Sequence, residues 1–226
     1  YEPGILFEKI REEKKFADSV IVVFHGGNEF NPLPSPDTAA RYRLICDMGA
    51  DAVIGGHTHC PQGYEYYHNK PIVYSMGNLL FRNSEKRNEE NPWYYGYMSV
   101  LNIGERIALE VIPYKFNIEA TKIHVFGGAE KEKMLGYLEK LSAIVQDEEK
   151  LENYFKGWAW QHLWLPNEPA DYTDLKDYNL CGNMNLLFCE SHYSQAKMIF
   201  KILYNGEIPL AEKYAEKINS LAKMPC

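Results

Sequence analysis

Residues 19–59 read SVIVVFHGGNEFNPLPSPDTAARYRLICDMGADAVIGGHTH, and the order of textures inside this stretch decides the fold. SVIVVFH (19–25) is an unbroken β-branched apolar run, the pattern of a strand buried on both faces. The proline-rich NPLPSPD (31–37) cannot continue it. Asp37 is then the expected cap of a helix whose apolar positions are Ala40, Leu44, Ile45 and Met48, with Gly49 as its stop. AVIGG (52–56) is a second short buried strand. Residues 19–55 therefore take the strand–helix–strand form of a βαβ unit.

Both strands of such a unit run the same way, so their carboxyl ends open on one edge, where α/β sheets place ligand sites. His25 closes the first strand, and His57 and His59 follow the second. Glycines flank both places (Gly26-Gly27 and Gly55-Gly56), which permits sharp turns and close backbone approach. A His-Thr-His hook at a strand tip reads as a metal site, a pH-sensitive turn or an ordinary hydrogen-bonded turn. Imidazole suits zinc, iron and manganese, and histidines at i and i+2 serve one ion or two neighbouring ones. An ion there would polarise a phosphoryl oxygen and activate water.

Upstream, residues 3–16 carry Ile5, Leu6, Ile10 and Phe16 at helical spacing, with Pro3 placed for a helix start. Downstream of the hook the texture changes to strands: YEYY, PIVYSMGNLLF, YMSVLNI, IALEVIPYKF and TKIHVF. They are separated by the turn chemistry of HNKP, NSEKRNEENP and IGER, and strands this close favour antiparallel pairing. After Gly127 the pattern becomes helical. Met134, Leu138, Leu141 and Val145 share one face, as do Leu151, Tyr154, Phe155 and Trp158. Two further helices are expected from Tyr193, Ala196, Phe200 and Leu203, and from Leu210, Tyr214, Ile218 and Leu221. Residues 165–185 form a Pro/Asp/Asn-rich connector. The boundary falls near 126, giving a domain over 1–126 and a helical region over 127–226.

With 226 residues, 46% hydrophobic and 24% charged, the composition is that of a globular protein. A formal net charge of −7 argues against nucleic acid as the main partner, since no basic surplus displaces counterions. No apolar run approaches the roughly 20 residues a membrane span requires. The chain opens on Tyr1, which reads as part of a longer polypeptide. Cys46, Cys60, Cys181, Cys189 and Cys226 have no C-x-x-C pairing and read as free thiols rather than a disulfide framework.

Gly56-His57-Thr58-His59 resembles the G-H-[TS]-H signature of calcineurin-like metallophosphoesterases. The longer frame, from IVVFHGGNEF through P-x-P and GADAVIGGHTH to KPIVYSMGNLLF, is similar to the bacterial capsule-synthesis family of the CapA or poly-γ-glutamate synthesis type, over residues 19–81. The resemblance implies an α/β fold, part of a metallophosphatase-like αββα sandwich with a mostly helical C-terminal appendage. It implies His25, His57 and His59 as metal ligands for a divalent transition metal (Mn, Fe or Zn), with two ions in the full-length protein. Glu29 and His57 become the catalytic candidates. Glu29 would orient a histidine or shuttle a proton, or else is a solvated loop carboxylate. Asn78 matches the family's S-x-G-N and either ties down a turn or touches substrate.

Two departures stand out: Gly26 replaces the family's tryptophan, and Thr58-His59-Cys60 replaces its proline form. The superfamily's remaining ligands, of D-x-H, G-D-x-x-D and G-N-H type, are not in this sequence. Three histidines do not neutralise two dications, so the chain alone is expected to bind metal weakly or singly and to be catalytically poor. The expected partners are the missing N-terminal half of the same domain and an anionic substrate or exopolymer, at the cell envelope by family. A non-catalytic accessory role in exopolymer assembly is the alternative. Cys60 is a further candidate for a mononuclear zinc site. His68, His124, His162 and His192 read as structural, and Trp158, Trp160 and Trp164 as packing or a polymer groove.

Overall fold

The computed structural model describes residues 2–82, 88, 90–162, 184–185 and 188–225. Readings on Cys181, Trp164 and Cys226, most of the connector 165–185 and much of the polar stretch 83–92 lie outside the described residues. The chain forms two compact units, Tyr1–Leu151 with Leu221–Cys226, and Glu152–Ser220. Strands give way to helices near 126, while the division between units comes later, at Glu152.

The first unit contains a four-stranded sheet of order β1-β2-β4-β3, built from Ile21–His25 (β1), Ala52–Gly56 (β2), Tyr64–Tyr67 (β3) and Lys70–Val73 (β4). β1 pairs parallel with β2, His25 opposite Gly56, and β2 pairs parallel with β4. β3 and β4 form an antiparallel hairpin. Its two-residue turn, His68-Asn69, holds both residues at positive φ (50° and 63°), as a type I′ turn requires. His68 is thus a turn residue. A second, antiparallel sheet of order β5-β6-β7 comprises Tyr95–Asn102, Ala108–Phe116 and Ile123–Val125. Bridges Pro61↔Met76 and Gly77↔Gly96 connect the chain leaving β4 to the hook segment and to β5.

Helix α1 (Pro3–Glu13) buries Ile10, whereas Ile5 is 64% and Phe16 89% exposed. Helix α2 (Pro36–Asp47) differs from its sequence expectation at its start. Ser35, not Asp37, is the cap, and its Oγ accepts from the Thr38 N–H at 3.1 Å. Pro36 then occupies the first turn, where its missing N–H costs nothing. The buried face is Thr38, Ala39, Tyr42, Ile45 and Cys46, so Ala40 and Leu44 point outward. Helix α3 (Gly128–Val145) buries Met134, Leu138, Leu141 and Val145 as the spacing predicts. It lies so close to β3 that the Tyr64 N–H donates to Ser142 Oγ at 2.9 Å.

β1 also departs from expectation. It is an edge strand whose exposure alternates, with Val23 78% exposed. An apolar run records what a strand tolerates on both faces, and the described neighbours cover only one. Within the second unit, α4 (Glu148–Gln161) continues from the first and packs Tyr154, Phe155 and Trp158 inward. Trp158 stacks on Phe155, with centroids 5.9 Å apart, and is core rather than groove. In α5 (Glu190–Asn205) the buried face is Ser194, Gln195, Met198, Ile199 and Ile202; the expected Tyr193, Phe200 and Leu203 are at least half exposed. Gly206, at φ 68°, closes that helix as its left-handed cap. Ile218 and Leu221 of α6 (Ile208–Leu221) are buried as predicted.

Candidate functional site

The parallel register of β1 and β2 places His25 beside Gly56, and the Gly26 N–H donates to the Gly56 carbonyl at 3.1 Å. The expected histidines therefore gather at one sheet edge. The hook itself is strained: His57 has φ 103° and His59 φ 59°. A side chain in this region costs on the order of 1 kcal/mol, which persists only where the surroundings enforce it. Thr58 between them is buried, and its Oγ1 donates to the Cys60 carbonyl at 2.9 Å. Phe30, also at positive φ (60°), donates its N–H to the Thr58 carbonyl at 2.8 Å. The two loops that follow β1 and β2 are thereby stitched together.

Four side chains meet on this edge. His57 Nδ1 lies 3.2 Å from His25 Nε2. The carboxylate of Glu29 faces the other nitrogen of His57, with Oε1 3.7 Å from Nε2, and stands 4.0 Å from His59 Nε2. Burial pushes the His57 pKa below its ordinary value; Glu29 opposes that shift, while His25 and His59 add to it. His59 Nδ1 is 2.8 Å from Asn78 Oδ1. Trp93 stacks on the His59 ring at 4.7 Å, and Phe81 meets it edge-on at 5.0 Å.

This aromatic wall was not legible from the residue pattern around His25. Gly26 removes one expected aromatic, and others come from two loops (Phe30 and Phe81) and from the 3-10 helix Pro92–Tyr94 (Trp93). The one signal available was the phenylalanine ending both HGGNEF and GNLLF.

Cys60 does not join the group. It is buried, its Sγ donates to the Asn31 carbonyl at 3.2 Å, and burial raises its thiol pKa to about 12. His124 pairs with Glu130 at 2.9 Å on the surface. In the second unit, His162 donates from Nδ1 to the Trp158 carbonyl at 2.8 Å.

Two cis imidazole nitrogens about 2.1 Å from one ion stand roughly 3.0–3.4 Å apart, and the His25–His57 spacing falls in that range. The same spacing also satisfies an N–H···N hydrogen bond. Yet among the described residues no group of three or more His, Cys, Asp or Glu side chains converges closely enough to hold a metal ion. These residues fit part of a coordination sphere and not a whole one.

Comparison with known proteins adds an independent line. Residues 2–83 match the family described as bacterial capsule synthesis protein PGA_cap. The PGA biosynthesis protein CapA of Bacillus subtilis is 31% identical over 134 residues, which is 59% of this chain and 34% of that protein. The capsule biosynthesis protein CapA of Bacillus anthracis is 33% identical over 93 residues, 39% of this chain and 23% of that protein. A probable polyglutamine synthesis accessory protein of Mycobacterium tuberculosis is 36% identical over 73 residues, 32% of this chain and 19% of that protein. The chain thus spans about a third, or less, of the length of these relatives.

Proposed function

Since residues 2–83 belong to the bacterial capsule synthesis family PGA_cap, we propose that the polypeptide carrying them serves capsule or polyglutamate synthesis as a metal-assisted hydrolase of phosphoester-type bonds. One observation carries this reading: His25, His57, His59 and Glu29 gather at the carboxyl ends of parallel β1 and β2, with both hook histidines at positive φ. His25 and His57 would hold a divalent ion, with His59 beside them. Such an ion supplies Lewis acidity at a phosphoryl oxygen. Glu29, half exposed beside His57, would take a proton from an attacking water. The remaining ligands and the anionic polymer or its precursor would come from outside the described residues. No described helix is long and apolar enough to cross a membrane, so work at the cell envelope would rest on other parts of the polypeptide or on a partner.

The test uses the full-length protein. Metal content and hydrolysis of p-nitrophenyl phosphate are measured for the wild type, His57→Ala and Glu29→Gln. The reading expects bound transition metal that His57→Ala removes, and turnover that Glu29→Gln lowers about 10²–10⁴-fold. Wild type that takes up no metal and shows no turnover sinks it. A second reading, a non-catalytic accessory protein, draws support from the incomplete convergence of donors and from the accessory role in the name of the mycobacterial relative. Polymer binding that survives both substitutions, without hydrolysis, would favour it.

A further inference from the structure

The proposed reading gives work to the imidazole of His59 but no role to the buried side chain that holds it. We propose that Asn78 is a positioning residue: it fixes the Nδ1–H tautomer of His59 and so presents the bare Nε2 of that ring at the strand-end edge. The inference begins at two backbone carbonyls. Asn78 Nδ2 lies 3.1 Å from the Trp93 carbonyl oxygen and 3.4 Å from that of His59. A carbonyl only accepts, so the amide atom facing both must be the NH₂ group. The orientation of the amide is therefore settled without reference to the imidazole.

The amide oxygen then faces His59 Nδ1 at 2.8 Å. That oxygen has no proton to give, so Nδ1 carries the hydrogen and Nε2 of the neutral ring carries the lone pair. Nε2 is the nitrogen on the Glu29 side, 4.0 Å from Oε1.

Asn78 is itself held rigidly. It is 7% exposed, and its carbonyl accepts from Tyr114 Oη at 3.0 Å. The preceding Gly77 has φ 76°, and a Cβ there would stand 2.6 Å from the Tyr95 carbonyl oxygen. Trp93 serves twice: its carbonyl orients the amide, and its ring stacks on His59 at 4.7 Å to set the imidazole plane. The hydrogen bond opposes the ring flip, which would put Cδ2 in place of Nδ1 and Cε1 in place of Nε2. A ligating or proton-handling imidazole is commonly oriented in this way through its second nitrogen.

The functional meaning of this device rests on the proposed reading of the site, but its first readout needs neither metal nor turnover. Side-chain ¹⁵N correlation spectra are recorded on chelator-treated protein at a pH of about 8.5, where imidazole is neutral. The expected spectrum shows His59 with a pyrrole-type Nδ1 and a pyridine-type Nε2. An Nε2–H tautomer, or an even mixture, overturns the proposal. Asn78→Asp keeps an acceptor oxygen and should keep the tautomer, whereas Asn78→Leu should release it.

With Zn²⁺ alone as the probe, Asn78→Leu should lower affinity about 10–100-fold while Asn78→Asp preserves it. Folded Asn78→Leu that retains the tautomer also overturns the proposal. Should that variant fail to fold, the wild-type and Asn78→Asp spectra decide. A correct tautomer in a protein that binds no metal would fail the proposed function and leave the positioning role standing.

Discussion

His57 Nδ1 lies 3.2 Å from His25 Nε2, although 32 residues separate them in sequence. Parallel pairing of β1 and β2 creates this contact, because it ends both strands at the same level. If the pair holds one ion, its members act as a unit. Zn²⁺ titration of the chain should then show His25→Ala and His57→Ala each losing about 100-fold or more in affinity, with the double variant losing little beyond either. His59→Ala should cost less. Binding that ignores His25→Ala would show that the two rings merely hydrogen-bond.

Two adjacent glycines precede the hook, and only one is required by packing. A Cβ on Gly55 would stand 2.1 Å from the Tyr74 carbonyl oxygen and 2.7 Å from Tyr42 Oη, whereas one on Gly56 meets nothing within 4 Å. Gly55→Ala should therefore destabilise by at least about 3 kcal/mol or prevent folding. Gly56→Ala, at a φ that alanine accepts, should stay within about 0.5 kcal/mol of the wild type or gain slightly. Urea titration distinguishes the two directly.

Below the site, Glu65 is buried and receives Arg43 through both oxygens, at 2.8 and 3.1 Å, together with Tyr74 Oη at 2.5 Å. Arg43 also donates to the Val145 carbonyl at 3.1 Å, so one guanidinium connects α2, β3 and the end of α3. Arg43→Met leaves a carboxylate with a 5% exposed side chain and should cost about 3–5 kcal/mol. Tyr74→Phe should cost about 1.5–3 kcal/mol. Adding Glu65→Gln to Arg43→Met should recover part of the loss, because the stranded charge is gone. No recovery in denaturant titrations would mean the arginine acts through packing alone.

The βαβ unit and the three histidines were legible because they depend on local texture and on spacing along one stretch. The Asn78–His59 contact was not, since it joins residues 19 apart through the chain that leaves β4 and turns at Gly77. Helical spacing located α5 but not its buried side. Tyr193, Ala196, Phe200 and Leu203 repeat as well as Ser194, Met198 and Ile202 do, and periodicity fixes a period without fixing its phase. The cap of α2 fell to Ser35 because Pro36 takes the first helical position, leaving Asp37 inside the turn. The exposure of β1 is the same kind of omission, for composition cannot say which neighbours are present.

That exposure gives a direct test. Val23 sits on an edge strand and is 78% exposed, so Val23→Lys should change the stability of the chain by no more than about 0.5 kcal/mol. A lysine on an open edge also discourages strand-to-strand association. Sedimentation of the variant should show less self-association than the wild type at equal concentration. A loss of several kcal/mol would mean that β1 is buried on both faces after all.

In the second unit, Lys156 has a 5% exposed side chain and pairs with Glu207 at 2.9 Å and Glu152 at 3.1 Å, while Lys201 reaches Glu152 at 2.9 Å. The hydrogen bond from Lys156 holds the Glu207 carboxyl below its ordinary pKa of 4.5. Burial pulls Glu152 upward, but the hydrogen bonds from Lys201 and Lys156 outweigh it, and its pKa is lowered as well. Near pH 4 the unfolded chain therefore binds more protons than the folded one, so stability rises with pH there. The contribution is complete above the ordinary glutamate pKa and is lost as pH falls through the lowered values. Amide hydrogen exchange in α4, α5 and α6 should accordingly accelerate on acidification below about pH 4.5, after correction for the intrinsic rate. Glu207→Gln should cost on the order of 1 kcal/mol at neutral pH, discounted for the carboxylate's partial exposure. It should also flatten the acid limb, because one of the two linked carboxylates no longer titrates. An acid limb as steep as that of the wild type would place the linkage elsewhere in the unit.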